Sequence, residues 1–302
     1  MAEIILHHYD TSPFSEKVRV MLGIKGLAWR SVVQPVIMPK PELIPLTGGY
    51  RRIPVMQIGA DVYCDSQVIV AELDARHPEP ATVRGADWAV NLWADRLWFQ
   101  ATVAVVFGEI GEAVPRAFIQ DREQLSGRPF DVAAMKAAAP FARAQWRAYA
   151  AWLEKGLSGG DYLGGASPSL GDVAAYMNVW WLWGAAPTIA ERLLQGLDRV
   201  KDWRARMAAI GHGRRSEMTG GEALQVAMRA QPAAPPDSDP ADVSDLKLGD
   251  AVVVRADDYG RDPVEGRLVA LTRDRAVVAR ECGELDVLHV HFPRAGYVLA
   301  RA

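Results

Sequence analysis

Cysteine is scarce: Cys64 and Cys282 are the whole complement, far apart in the chain. Two distant thiols argue against a disulfide framework and point to a reducing compartment. An excess of positive charge is also missing. Lys and Arg total 34 against 37 Asp and Glu, a formal net charge of −3, so no basic field exists to hold nucleic acid or anionic lipid nonspecifically. Long apolar runs are absent as well. The most apolar stretch, around 178–186, is flanked and interrupted by Asp172 and Asn178 and is too short to span a bilayer. The opening MAEIILHHYD puts Glu3 and two histidines where a signal peptide needs a basic and then an apolar stretch. Low-complexity disorder is excluded by 50% hydrophobic and 24% charged residues. These absences predict a cytoplasmic globular protein without a membrane or nucleic-acid partner.

What is present falls into blocks. A chain of 302 residues suggests about two domains with room for a small third. Residues 1–80 alternate strand-like and helix-like runs. Ile4-Ile5-Leu6 reads as a strand, Thr11-Ser12-Pro13-Phe14 starts a helix, and residues 29–33 form a second strand. Residues 54–58 and 62–64 then make a hairpin, and 66–76 an amphipathic helix stopped by His77-Pro78. The order β-α-β, β-β-α predicts a small mixed sheet with helices on its faces. Residues 86–230 show no convincing strand. They carry nine of the ten tryptophans and long Ala-rich runs, broken at Pro115, Gly127-Arg128-Pro129, Ser158-Gly159-Gly160 and Pro187, and they read as a helical bundle. Residues 231–245, QPAAPPDSDPADVSD, read as an extended linker. In 246–302, four or five short β-rich runs separated by turn residues predict a small SH3-like barrel closing its own edges, docked on its own subunit or mediating assembly.

Three stretches carry chemistry. Ser12-Pro13-Phe14 suits a helix N-terminus, with Ser12 as cap and Pro13 where a missing N–H costs nothing. Exposed N–H groups and the helix dipole there favour an anion, so a ligand thiol would lose its proton more easily beside Ser12. Arg52-Ile53-Pro54-Val55 places a proline at the opening of a strand. A cis Ile53–Pro54 bond would turn the Ile53 backbone toward an extended ligand, although base rates by themselves favour trans. In Cys64-Asp65-Ser66-Gln67, a carboxylate stands beside a helix N-terminus, an arrangement suited to the zwitterionic head of an amino acid. Each stretch read singly is also an ordinary cap or strand start.

Taken in order, the three resemble the thioredoxin-like N-terminal domain of the glutathione transferase superfamily. Ser12-Pro13-Phe14 is similar to the omega-type Cys-Pro-Phe with Ser for Cys, and serine at this place also fits zeta and theta members. Pro168-Ser169-Leu170-Gly171-Asp172 is similar to the family's buried capping motif, whose part is in folding. The resemblance covers residues 3 to about 210. It implies glutathione as cosubstrate, with Ser12 stabilising the thiolate, Ile53 and Pro54 meeting the cysteinyl backbone, and Asp65 with Ser66 holding the γ-glutamyl head. It further implies a homodimer, an electrophilic apolar substrate and a detoxifying transferase. Asp65-Ser66 replaces the commoner Glu-Ser, keeping the charge but shortening the reach. Tyr9, at the end of the first strand, is the alternative thiol activator. Trp93, Trp98 or Phe107 could line the second-substrate pocket. A non-catalytic binding or assembly protein and a glutathione-dependent isomerase or dehalogenase remain open alternatives. His289 and His291 share a strand face without an identifiable third ligand, so no metal is expected; His7 and His8 point to opposite faces and do not chelate as a pair. Cys64 reads as a small buried apolar residue.

Overall fold

The computed structural model describes residues 3–302. Met1 and Ala2, the front of the segment weighed against a signal peptide, lie outside the described residues. β1 (Ile5–His8) is buried throughout, so its alternating side chains meet two covered faces. α1 (Pro13–Ile24) starts from the Ser12 cap with Pro13 at its first position. β2 (Ala28–Val33), a short α2 (Ile44–Thr47), the hairpin β3 (Val55–Ile58) and β4 (Asp61–Cys64), and α3 (Ser66–Arg76) complete the expected order. β1 pairs in parallel with β2 and antiparallel with β3. Leu6 packs with Val18, Met21 and Leu22 in the main core, whereas Ile5 lies on the other face with Val32.

The tryptophan-rich block is helical up to residue 210. α4 (Asp87–Trp93) runs through a π turn (Ala94–Trp98) into α5 (Phe99–Ile110). α6 (Arg116–Ser126), α7 (Val132–Gly156), α8 (Leu170–Ala185), α9 (Pro187–Leu193) and α10 (Asp198–Ile210) follow. The expected breakers stand at helix ends: Pro115 precedes α6, Gly127 ends it in a left-handed conformation, and Pro187 opens α9. Trp98, Trp146 and Trp203 are fully buried in the core that joins this block to α1. The Ser169-to-Asp172 capping box forms at the start of α8.

The structure departs from the sequence reading in two places. First, Arg214–Glu217 is a strand, β5, pairing in parallel with the outer side of β2. Its four residues are all exposed and polar, so no apolar alternation announced it; the open backbone of β2 provides the template. α11 (Gly220–Met228) follows and lays Ala223 against Ile5 and Val32.

Second, the C-terminal module does not close on itself. β6 (Ala251–Ala256), β7 (Val264–Leu271), β8 (Arg275–Glu281), β9 (Val287–Pro293) and β10 (Tyr297–Arg301) form the expected small all-β addition. Yet β9 pairs in parallel with β4, giving one ten-stranded sheet in the order β10-β6-β7-β8-β9-β4-β3-β1-β2-β5. Hydrogen-bonding groups on β4 and β9 are satisfied by each other, which removes two edges at once. Leu43, Leu46, Val55 and Val62 of the first block share a core with Val252, Val264, Leu288 and Phe292 of the module. Residues 231–245 hold neither helix nor strand. They are tied down where the Ala233 N–H donates to Asp61 Oδ2 (2.8 Å) and Arg294 to Asp242 (2.6 Å). Among the described residues no helix is long and apolar enough to cross a membrane.

Candidate active site

Two adjoining hollows open where β1, α1 and the β3 approach meet the helical block. The larger, of about 950 Å³, is lined by Tyr9, Ser12 and Ile53 on one side. Phe99, Phe107, Trp180 and Trp181 line the other. Lys40, Arg51 and Arg122 stand at one end, three cations against the one carboxylate of Asp121, which Arg51 (2.6 Å) and Arg122 (3.2 Å) both reach. Ser12 thus faces an aromatic cavity from the N-terminus of a full-length helix. Its Oγ accepts from the Ser15 N–H at 3.2 Å, and its hydroxyl hydrogen can donate into the cavity, to Tyr9 or to a ligand sulfur. Tyr9 lines the same cavity. Burial raises its pKa, with Arg122 and the Ser12 hydroxyl pulling the other way, so the phenol stays protonated near neutrality. Both thiol-activator candidates are therefore brought to one place. Burial also lowers Lys40 to about 8.

Of the three aromatic candidates for a second-substrate wall, Phe107 lines the cavity. Trp98 does not: it is fully buried in the core, and Trp93 packs against Trp98, Tyr149 and Trp152 on the far side of its helix. The π turn at Ala94–Trp98 changes the helix register, and Phe99, stacked on Trp181, lines the cavity instead.

The smaller hollow holds about 60 Å³ and is lined by Ile53, Pro54, Asp65 and Ser66. The Ile53–Pro54 bond is cis, against the base rate. Asp65 caps α3, accepting from the Gln67 N–H at 2.9 Å, and holds a left-handed φ of 96°. The chain itself fills the rest of this hollow. Arg52 Nη2 donates to Asp65 Oδ2 at 3.2 Å, and the Tyr297 hydroxyl donates to the same oxygen at 2.9 Å. Arg52 also donates to the Tyr297 oxygen (2.6 Å) and to Asp258 (3.0 Å). Its guanidinium lies 5.2–5.7 Å from the ring centres of Tyr50, Tyr259 and Tyr297, within cation–π range. Nothing in the sequence pointed to Arg52, Tyr259 or Tyr297. Arg52 stands one residue before the Ile53-Pro54 motif, but its partners come from turns of the module more than 200 residues away in sequence.

The C-terminal pair of histidines stands at the join between the module and the first block. His289 and His291 both face Asp61, with His291 Nε2 at 2.8 Å and His289 Nδ1 at 3.9 Å, across the β4–β9 seam. Among the described residues no group of three or more His, Cys, Asp or Glu is placed to hold a metal ion. Cys64 is buried, and burial raises its thiol well above the ordinary range.

Residues 6–81 match the family model of the glutathione S-transferase N-terminal domain, and residues 111–206 that of the C-terminal domain. No curated protein matches the chain. Among solved structures, a GST-like protein from Pseudomonas syringae is 36% identical, covers 100% of both chains and superposes with a TM-score of 0.82. The module is therefore matched along with the two preceding blocks. A glutathione S-transferase from Rhodospirillum rubrum is 18% identical, covering 68% of this chain and 88% of its own, with a TM-score of 0.54. The beta-etherase LigF from Sphingobium sp. strain SYK-6 is 17% identical, covering 68% and 95%, with a TM-score of 0.52. At that identity these two share the fold alone. With both domain models matched in order and a full-length relative above one-third identity, the chain belongs to the glutathione S-transferase superfamily.

Proposed function

We propose that this chain is a thiol transferase of the glutathione class, joining the sulfur of a cysteinyl thiol (glutathione or a shorter relative) to a small apolar electrophile. The observation that carries this reading is the start of α1 with Ser12 opening onto the aromatic cavity of about 950 Å³. The Ser12 hydroxyl donates to the thiolate sulfur, and the dipole of α1 favours its charge. The thiol proton leaves to water. The sulfur lone pair forms the new C–S bond, while the bond to the leaving group breaks and that group departs with its electron pair. Ile53 pairs with the cysteinyl backbone, Lys40, Arg51 and Arg122 favour a carboxylate at their end, and Phe99, Phe107, Trp180 and Trp181 hold the electrophile. A cytoplasmic homodimer belongs to the same proposal. Because β4 is paired with β9, the partner uses a face other than that sheet edge.

Ser12→Ala is expected to cut turnover in a thiol-conjugation assay by about tenfold or more while thiol affinity by calorimetry stays nearly unchanged. Unchanged turnover rejects Ser12 and brings Tyr9 forward. A non-catalytic binding protein is the second reading, favoured by Asp65 being engaged by Arg52 and Tyr297. Thiol binding without conjugation of any electrophile would support it.

A further inference from the structure

The hollow on Asp65 is furnished as a cation site and already holds a cation. Arg52 reaches Asp65 Oδ2 at 3.2 Å and Asp258 at 3.0 Å, so its charge is matched on two sides. Tyr297 from the start of β10 and Tyr259 from the β6–β7 turn close the hollow around it. The β6–β7 turn is itself anchored at two points. Arg96 on the π turn pairs with Asp257 at 2.7 Å, and the Gly260 N–H donates to the Leu125 carbonyl of α6 at 2.8 Å. About 60 Å³ is left beside these groups. An amino-acid ammonium seeking the Asp65 carboxylate meets Arg52 and Tyr297 already bonded to it. The adjoining cavity at Ser12 is open.

We propose that Arg52, Tyr259 and Tyr297 act as a built-in occupant of the Asp65 pocket, selecting small cysteinyl thiols that lack a γ-glutamyl head over glutathione itself. This rests on the thiol-transferase reading and names the substrate class of that same site. Such a thiol places its sulfur at Ser12, its backbone at Ile53 and its carboxylate toward Lys40, Arg51 and Arg122, without displacing any of the Arg52 contacts. Glutathione in an extended pose along Ile53 to Asp65 must break two hydrogen bonds to Asp65 and swing out Tyr297. Tyr297 is half-buried on an edge strand, so its truncation is tolerable for the fold.

The test is calorimetric titration of the full chain with glutathione and, separately, with the dipeptide cysteinylglycine. The wild-type protein is expected to bind cysteinylglycine at least about tenfold more tightly. Tyr297→Ala removes one of the two groups bonded to Asp65 and one partner of Arg52, and is expected to raise glutathione affinity about tenfold with cysteinylglycine unchanged. Tyr297→Phe keeps the ring and keeps the wild-type preference. A wild-type preference for glutathione overturns the inference and leaves the transferase reading standing, as does a Tyr297→Ala protein whose preference is unaltered. Absence of binding by either thiol overturns both. Should Tyr297→Ala fail to fold, the wild-type ratio decides.

Discussion

At the scale of the residue, the first strand carries two buried titratable rings whose partners fix their state. Gln34 Nε2 donates to His7 Nδ1 at 3.3 Å, so the proton sits on Nε2, which donates to Gln57 Oε1 at 3.1 Å. Arg19 Nη1 donates to His8 Nδ1 at 3.1 Å, and His8 Nε2 donates to Ser31 Oγ at 3.0 Å. Burial lowers His7 to about 4; burial and then the Arg19 charge lower His8 to about 3. Both rings are neutral when folded and take up protons near pH 6.5 when unfolded. Above that pH they make stability independent of pH. As pH falls from 6.5 toward 4, the unfolded chain binds protons that the folded chain cannot, so stability is lost across this window. The loss is expected to reach roughly 3 kcal/mol per histidine by pH 4. Urea unfolding from pH 7 to 4 should show a slope that flattens in His8→Asn, and an equally steep slope in that variant would dismiss the argument.

The helix and strand elements show what the sequence could and could not disclose. The start of α8 was legible because its capping box is local. Ser169 and Asp172 stand three apart, and the Asp172 carboxylate collects the Ser169 N–H (2.9 Å), the Leu163 N–H (2.8 Å) and the Trp203 indole N–H (2.8 Å). Removing that carboxylate leaves three buried donors without acceptors. Asp172→Ala is therefore expected to destabilise the chain by about 3 kcal/mol, read as a lowered denaturant midpoint. Ser12, Pro54 and Asp65 stood out as candidates for the same reason, since caps and strand starts follow local rules. β5 was missed because Arg214–Glu217 becomes a strand only through the edge offered by β2. The closure around Asp65 was missed because Arg52 meets Tyr297, Tyr259 and Asp258 only after the last strands are in place. Periodicity reports which face of an element is buried, and says nothing of which distant loop arrives to bury it.

At the scale of the whole molecule, the third block is structurally fused to the first. Arg275 of β8 reaches Glu72 of α3 at 2.6 Å, and His291 stacks on Tyr63 with ring centres 4.3 Å apart. Cutting the chain after residue 230 strips the cover from Leu43, Leu46, Val55 and Val62 and leaves β4 with an open edge. A chain ended there is expected to aggregate under conditions that keep the full protein monodisperse, as light scattering would report. A truncated protein that stays dispersed would show that the shared core is dispensable.

The β4–β9 seam also sets a schedule for biosynthesis. β4 (Asp61–Cys64) leaves the ribosome long before β9 (Val287–Pro293), the strand that completes it. Until β9 has left the ribosome, the nascent polypeptide presents a bare, sticky flank, and its maturation calls for chaperone shelter.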